Sequence, residues 1–195
     1  MCGITGLIDL RHSTPSDALR ATVKRMSDTL GHRGPDDAGV WVDAGPGIAL
    51  GHRRLSILDL SPAGHQPMVS PSGRYVITYN GEIYNFRELR QQLEREDPSV
   101  VFSSQSDTEV MLACVDRWGI EASLGQWNGM FGFALWDQKD RCLYLARDRF
   151  GEKPLYYGWL ENTFVFGSEL KALRNHPEFR DEINRDALAL FLRNG

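Results

Sequence analysis

The segment Phe131-Gly132-Phe133-Ala134-Leu135-Trp136 restricts the fold more than any other stretch of the chain. It has the length and aromatic content of a strand, and it is apolar at odd and even positions alike. Successive side chains of a strand point to opposite faces, so this strand must be covered on both. A sheet with one wet face cannot hold it. Residues 142–147, 155–160 and 163–166 follow as further short strands joined by turns. The helical patterns lie elsewhere, without the strand-helix alternation of a parallel sheet, so the expected class is α+β. Two antiparallel sheets packed face to face and covered outside by helices account for strands of this kind. At 195 residues and 42% hydrophobic content, the chain can bury one sizeable core.

In chain order, a strand is expected at 3–9. An amphipathic helix follows at 17–31, with Ser16 as its cap and Leu19, Val23, Met26 and Leu30 on one face. Gly34-Pro35 stops it in a polar loop. Strands at 38–42 and 47–53 flank a turn at Gly45-Pro46, and an irregular loop runs through Pro62, Gly64 and Pro67. The strand 75–79 ends in Asn80-Gly81, and residues 82–85 continue extended into a helix at 86–95. A strand at 100–103 precedes a helix at 107–118 capped by Ser106, and short helices at 169–174 and 186–193 close the chain. There is no repeat, low-complexity run or linker, which indicates one domain.

A net charge of −4 argues against nucleic acid or an anionic membrane as partner. Nothing resembles a transmembrane segment or a secretory leader, and three unpaired cysteines suit a reducing cytosol, so a cytoplasmic location is expected. Cys114 and Cys142 fall in apolar elements and read as core residues. Cys2 differs. With Met1 removed it would carry a thiol and a free α-amine together, the two parts of an N-terminal nucleophile. Gly3 and Gly6 beside it let the backbone crowd against a substrate or a second strand. The plain alternative is a cytosolic cysteine without a role.

Asn80-Gly81 is a strong tight-turn signal. Its functional alternative is an oxyanion hole built from the Asn80 amide and the Gly81 N–H. Arg54, near a strand end, can fork onto a carboxylate or join an ordinary ion pair. Asp107 can complement a helix dipole or bind a substrate ammonium. The five histidines have no metal-type spacing, and no phosphate-binding glycine loop appears.

These residues sit inside segments that resemble the glutaminase domain of glutamine-dependent asparagine synthetases. The segments are Cys2-Gly3-Ile4, HRGPDDAG at 32–39, RRLSILDLS at 53–61, GHQPM at 64–68, YNGEIYNFRELR at 79–90, SDTE at 106–109, NGMFGFALWD at 128–137, RDRFGEKPLYYG at 147–158 and FGSELKAL at 166–173. They keep the family's order and cover nearly the whole chain. The resemblance implies a four-layer αββα N-terminal-nucleophile hydrolase. It implies that Cys2 attacks the side-chain amide of L-glutamine while Asn80 and Gly81 hold the oxyanion. Arg54 would grip the α-carboxylate and Asp107 the α-ammonium. Leu55, Ser56, Ile57, Leu58 and Glu82 would line the pocket, largely through backbone groups.

The family continues into a synthetase domain that uses ATP and magnesium. This chain stops at Gly195, so no cofactor is expected for the domain itself. Residues 2–175 are expected to form its core and 176–195 a lead-in to the synthetase domain. Expected partners are L-glutamine and that synthetase domain, with a homodimer left open and neither nucleic acid nor membrane. Two other readings stay open: a stand-alone amidohydrolase on another γ-glutamyl amide, and a non-catalytic glutamine-binding or dimerisation module.

Overall fold

A computed structural model describes residues 1–57 and 61–194. Five strands form the first sheet in the order β2-β3-β1-β9-β8, with β1 at Gly3–Asp9, β2 at Asp37–Asp43, β3 at Ile48–Arg54, β8 at Tyr156–Leu160 and β9 at Thr163–Gly167. The second sheet runs β4-β5-β6-β7, with β4 at Met68–Val69, β5 at Tyr75–Ile83, β6 at Gly129–Asp137 and β7 at Cys142–Arg147. Every neighbouring pair is antiparallel.

The doubly apolar strand is β6, and it is covered on both faces. Phe131, Phe133 and Leu135 pack in one core with Leu89 and Leu93 of α2 (Phe86–Glu96) and Val110 to Val115 of α3 (Asp107–Trp118). Ala134 and Trp136, alternate to them, meet Ile48, Leu50 and Phe166 of the first sheet. A third core lies under the outer face of the first sheet, where Leu19, Val23 and Met26 of α1 (Ser16–Asp28) and Ala172 and Leu173 of α5 (Leu170–Arg174) cover Leu7, Ala49 and Val165. The layers are therefore helix, sheet, sheet, helix. The last helix, α6 (Arg185–Asn194), exposes Leu188, Leu190, Phe191 and Leu192.

Several local expectations need correction. Asn80-Gly81 is no turn: both residues lie inside β5, Asn80 opposite Gly132 and Gly81 opposite Phe131. A nine-residue ladder with β6 outweighs the local turn preference of the dipeptide. Ser16 is the first residue of α1 and does not cap it; Pro15 precedes the helix, and no side chain bonds its first N–H groups. The helix ends at Asp28, where bonds from Leu30 N–H to Ser27 O and from Gly31 N–H to Asp28 O tighten the chain into turns. Residues 100–103 join neither sheet. Instead Ser103 and Ser104 both donate to the Glu109 carboxylate. The helix α4 (Ile120–Gln126), β4 and a 3-10 turn at Pro62–Gly64 were not anticipated. Ser106 does cap α3, accepting from the Thr108 N–H at 3.1 Å. Cys114 is core, whereas Cys142 is only partly buried. Cβ atoms on Gly3 and Gly6 would meet Leu30 and Phe166, so these glycines serve protein packing.

Two polar bonds cross between the sheets and set their register near one end. Thr78 Oγ1 donates to Gly51 O at 3.1 Å, and His52 Nε2 lies 3.0 Å from Tyr79 O. Tyr79 O can only accept, so the proton sits on Nε2. These bonds lay the end of β3 against the middle of β5, with β1 beside β3 through Gly3 and Arg53.

Candidate active site

At that end the head of β1, the end of β3, the middle of β5 and the start of α3 meet around a cleft of about 640 Å³, counted to its open mouth. Cys2, Arg54, Asn80, Gly81 and Asp107, scattered over more than 100 positions of sequence, all line it.

Cys2 is half-buried. Its Sγ lies 3.6 Å from Leu55 O and accepts from Leu55 N–H at 3.4 Å. Burial pushes the thiol up; the Leu55 N–H, the positive chain terminus and Arg54 offset this only in part. No histidine or carboxylate bonds to the sulfur among the described residues. The backbone of Cys2 is held by Arg33, whose Nε donates to Cys2 O at 2.9 Å while Nη1 pairs with Glu169 at 2.9 Å. Burial opposes the Glu169 charge, yet bonds from Arg33, Lys171 and His32 hold its carboxyl down at about 2.

Alternation along β5 aims its neighbours at different jobs. Val76, Thr78 and Asn80 face the first sheet, while Tyr75, Ile77 and Tyr79 face α2 and α3. Asn80 is 2% exposed, and its side-chain nitrogen has no partner among the described residues. An unmet buried donor costs about 1–3 kcal/mol. Gly81 admits no side chain, because a Cβ there would run into Met130 O.

Arg54 is buried at the last position of β3, with Nη1 donating to Ser61 O at 2.9 Å. Gly64 lies so close that a Cβ on it would collide with the guanidinium. Across the cleft, Asp107 is 5% exposed, and its Oδ2 accepts from Tyr79 Oη at 2.8 Å and Ile83 N–H at 3.0 Å. Burial pushes its carboxyl up, against the pull of the Ile83 N–H, the Tyr79 hydroxyl and the Thr108 N–H.

Of the remaining expected residues, Leu55, Ile57 and Glu82 line the cleft. Ser56 does not; its N–H donates to Asp36 Oδ2 at 2.8 Å. Leu58 lies outside the described residues. Gln66, Tyr79 and Lys153 also line the cleft and were not singled out as site residues. Gln66 stands in the GHQPM segment and Tyr79 directly precedes Asn80, so both carried a signal of position without one of chemistry. Lys153 is 7% exposed, and its Nζ has Met1 Sδ at 3.8 Å as its hydrogen-bonding neighbour among the described residues. No group of histidine, cysteine or carboxylate side chains suited to a metal ion occurs among the described residues.

A family model described as a glutamine amidotransferase domain matches residues 1–195. The chain belongs to the glutamine amidotransferase domain family. An asparagine synthetase [glutamine-hydrolyzing] 3 of Bacillus subtilis is 40% identical to this domain over 191 residues, covering 97% of the chain and 30% of the relative. A putative asparagine synthetase [glutamine-hydrolyzing] 2 of Methanocaldococcus jannaschii is 36% identical over 213 residues, covering 100% of the chain and 39% of the relative. The amidotransferase domain thus spans less than half of these relatives. Among solved structures, glutamine phosphoribosylpyrophosphate amidotransferase from B. subtilis superposes with a TM-score of 0.69 at 22% identity, over 88% of this chain and 42% of that one. That likeness supports the four-layer αββα fold.

Proposed function

We propose that this amidotransferase domain hydrolyses L-glutamine to L-glutamate and ammonia, and that the ammonia serves asparagine synthesis by an ATP- and magnesium-dependent synthetase domain fused to it. The observation that carries the hydrolytic reading is the Asn80 amide, buried without an acceptor among the described residues in the cleft that holds Cys2 and is also lined by a buried cation, Arg54, and a buried anion, Asp107. Glutamine supplies a carboxylate for Arg54, an ammonium for Asp107 and an amide oxygen that becomes anionic on attack. Gripping both charges spends binding energy on positioning the carboxamide over the sulfur.

Removal of Met1 gives Cys2 a free α-amine. That amine takes the thiol proton as sulfur bonds to the amide carbon, and Asn80 and Gly81 hold the oxyanion. The amine returns the proton to nitrogen as the C–N bond breaks and ammonia leaves. Water then attacks the γ-glutamyl thioester, releasing glutamate and restoring the thiol. The buried, protonated thiol and the absence of a side-chain base bonded to it among the described residues support a role for the amine. The relatives' names support glutamine and asparagine as the metabolites. The exposed apolar residues of α6 support residues 176–195 as a lead-in to the further domain. A cytosolic site follows from the same reading; no helix of the described residues is long and apolar enough to cross a membrane.

Intact mass and ammonia release measured on one sample test the reading. Processed protein should release ammonia from glutamine, Cys2→Ala should release none, and 6-diazo-5-oxo-norleucine should add to Cys2 alone. Normal turnover by chains that retain Met1, or labelling of Cys142 in place of Cys2, would sink it.

A further inference from the structure

We propose that Tyr79 is a positioning residue for the ammonium subsite, its hydroxyl fixing the Asp107 carboxylate so that one oxygen is left for the substrate's α-ammonium. The proposal rests on the assignment of Asp107 to that ammonium. Tyr79 is 3% exposed, and its ring belongs to the core between the second sheet and the helices α2 and α3. A phenylalanine would satisfy that packing equally well. The hydroxyl has one described partner, Asp107 Oδ2, at 2.8 Å. Ile83 N–H donates to the same oxygen at 3.0 Å, so the Tyr79 and Ile83 bonds both fall on Oδ2; the Thr108 N–H draws more weakly on the carboxylate, and lone pairs of Oδ1 remain for a ligand.

The residue is held on both sides of its own peptide. Gln66 Oε1 accepts from Tyr79 N–H at 2.8 Å, while Gln66 Nε2 donates to Thr108 Oγ1 at 3.2 Å, which ties β5 to the first turn of α3. His52 bonds the Tyr79 carbonyl from the first sheet. The phenol therefore meets Asp107 at a set distance before any substrate arrives.

Electrostatics agree with this geometry. Burial and the adjacent Asp107 charge push Tyr79 well above the ordinary phenol range, so it stays a proton donor at every working pH. The charged or titratable groups that share the cleft with Asp107 are Tyr79 and Glu82 from β5, Cys2 from the head of β1, Arg54 from β3 and Lys153 from the segment before β8. Glu82 opposes the Asp107 charge, as burial does, whereas the Tyr79 hydroxyl favours it. Removing the hydroxyl shifts Asp107 toward its neutral form, so the acid limb of kcat/KM moves to higher pH.

The test compares Tyr79→Phe with the parent protein on two substrates: glutamine, and 4-carbamoylbutanoate, which lacks the α-amino group. The expected result is a KM for glutamine raised about tenfold with kcat nearly unchanged, as for loss of one hydrogen bond to a charged group. The acid limb should move up, and the kinetics on 4-carbamoylbutanoate should stay as they were. An equal loss on both substrates, or no change on either, overturns the proposal. Asp107→Asn separates the two levels of inference. If it removes the preference for glutamine over 4-carbamoylbutanoate while Tyr79→Phe leaves that preference intact, the role of Tyr79 fails and that of Asp107 stands. If Asp107→Asn leaves the preference intact, the ammonium assignment itself fails.

Discussion

In the proposed mechanism Asn80 acts on rate, whereas Gly64 acts on binding through Arg54. The Asn80 nitrogen has no partner among the described residues, and in the proposed mechanism its bond to the substrate strengthens as the amide oxygen gains charge. Asn80→Ala should therefore lower kcat by about 10²–10³ with little change in KM. Gly64 touches no reacting atom; a methyl there collides with the far end of Arg54. Because that end is flexible, Gly64→Ala should keep the fold and displace the guanidinium, raising KM for glutamine while kcat holds. Steady-state kinetics with a melting curve for each variant checks both. A Gly64→Ala protein with wild-type KM would remove Arg54 from the carboxylate grip.

Among the elements, β6 joins two of the three cores, as its partner β5 does. Phe133 is fully buried at its centre, edge-on to Trp127 at 5.8 Å and tilted against Phe131 at 5.7 Å. Phe133→Ala should cost about 3–5 kcal/mol, read as a lowered urea midpoint. A loss under 1 kcal/mol, roughly that of a tolerated swap, would mean that the core between β6 and α3 repacks freely. The loop before α3 is held differently, by the Glu109 carboxylate accepting from the N–H and hydroxyl groups of Ser103 and Ser104. This staple fixes the entry to α3, and hence the backbone from which Asp107 projects.

At the scale of the molecule, the bond between the sheets makes stability depend on pH. His52 is fully buried, and burial lowers it from 6.5 to about 4 despite its bond to Tyr79 O. The unfolded chain takes up that proton near pH 6.5, whereas the folded chain refuses it until about pH 4. The contribution is thus fully present above pH 6.5 and is lost as pH falls toward 4, about 3 kcal/mol in all. Burial also lowers His176, so it acts in the same sense. Asp9 and Glu169, held down at about 2, add their losses only below the ordinary carboxylate range. Urea midpoints between pH 7.5 and 5 should fall in the parent protein, and His52→Gln should flatten most of that fall. An unchanged slope in the variant would clear His52.

The residues themselves determined the layers and supplied the candidates for the site. An apolar strand such as β6 has to be covered on both faces wherever it lies, so two sheets between helices were legible from 131–136. Cys2, Arg54, Asn80, Gly81 and Asp107 were legible because their segments resemble a known glutaminase domain. Their convergence was not, since it depends on how β3 meets β5, which the His52 and Thr78 bonds decide between residues about 27 apart. Local preference misled where tertiary pairing was stronger: Asn80-Gly81 became strand because β6 supplies a full ladder, and 100–103 lost its strand because Glu109 claims the serine N–H groups. The chemistry of Tyr79 and Gln66 was invisible for the same reason. A buried hydroxyl or amide acquires a function only from the partner that folding sets within about 3 Å of it.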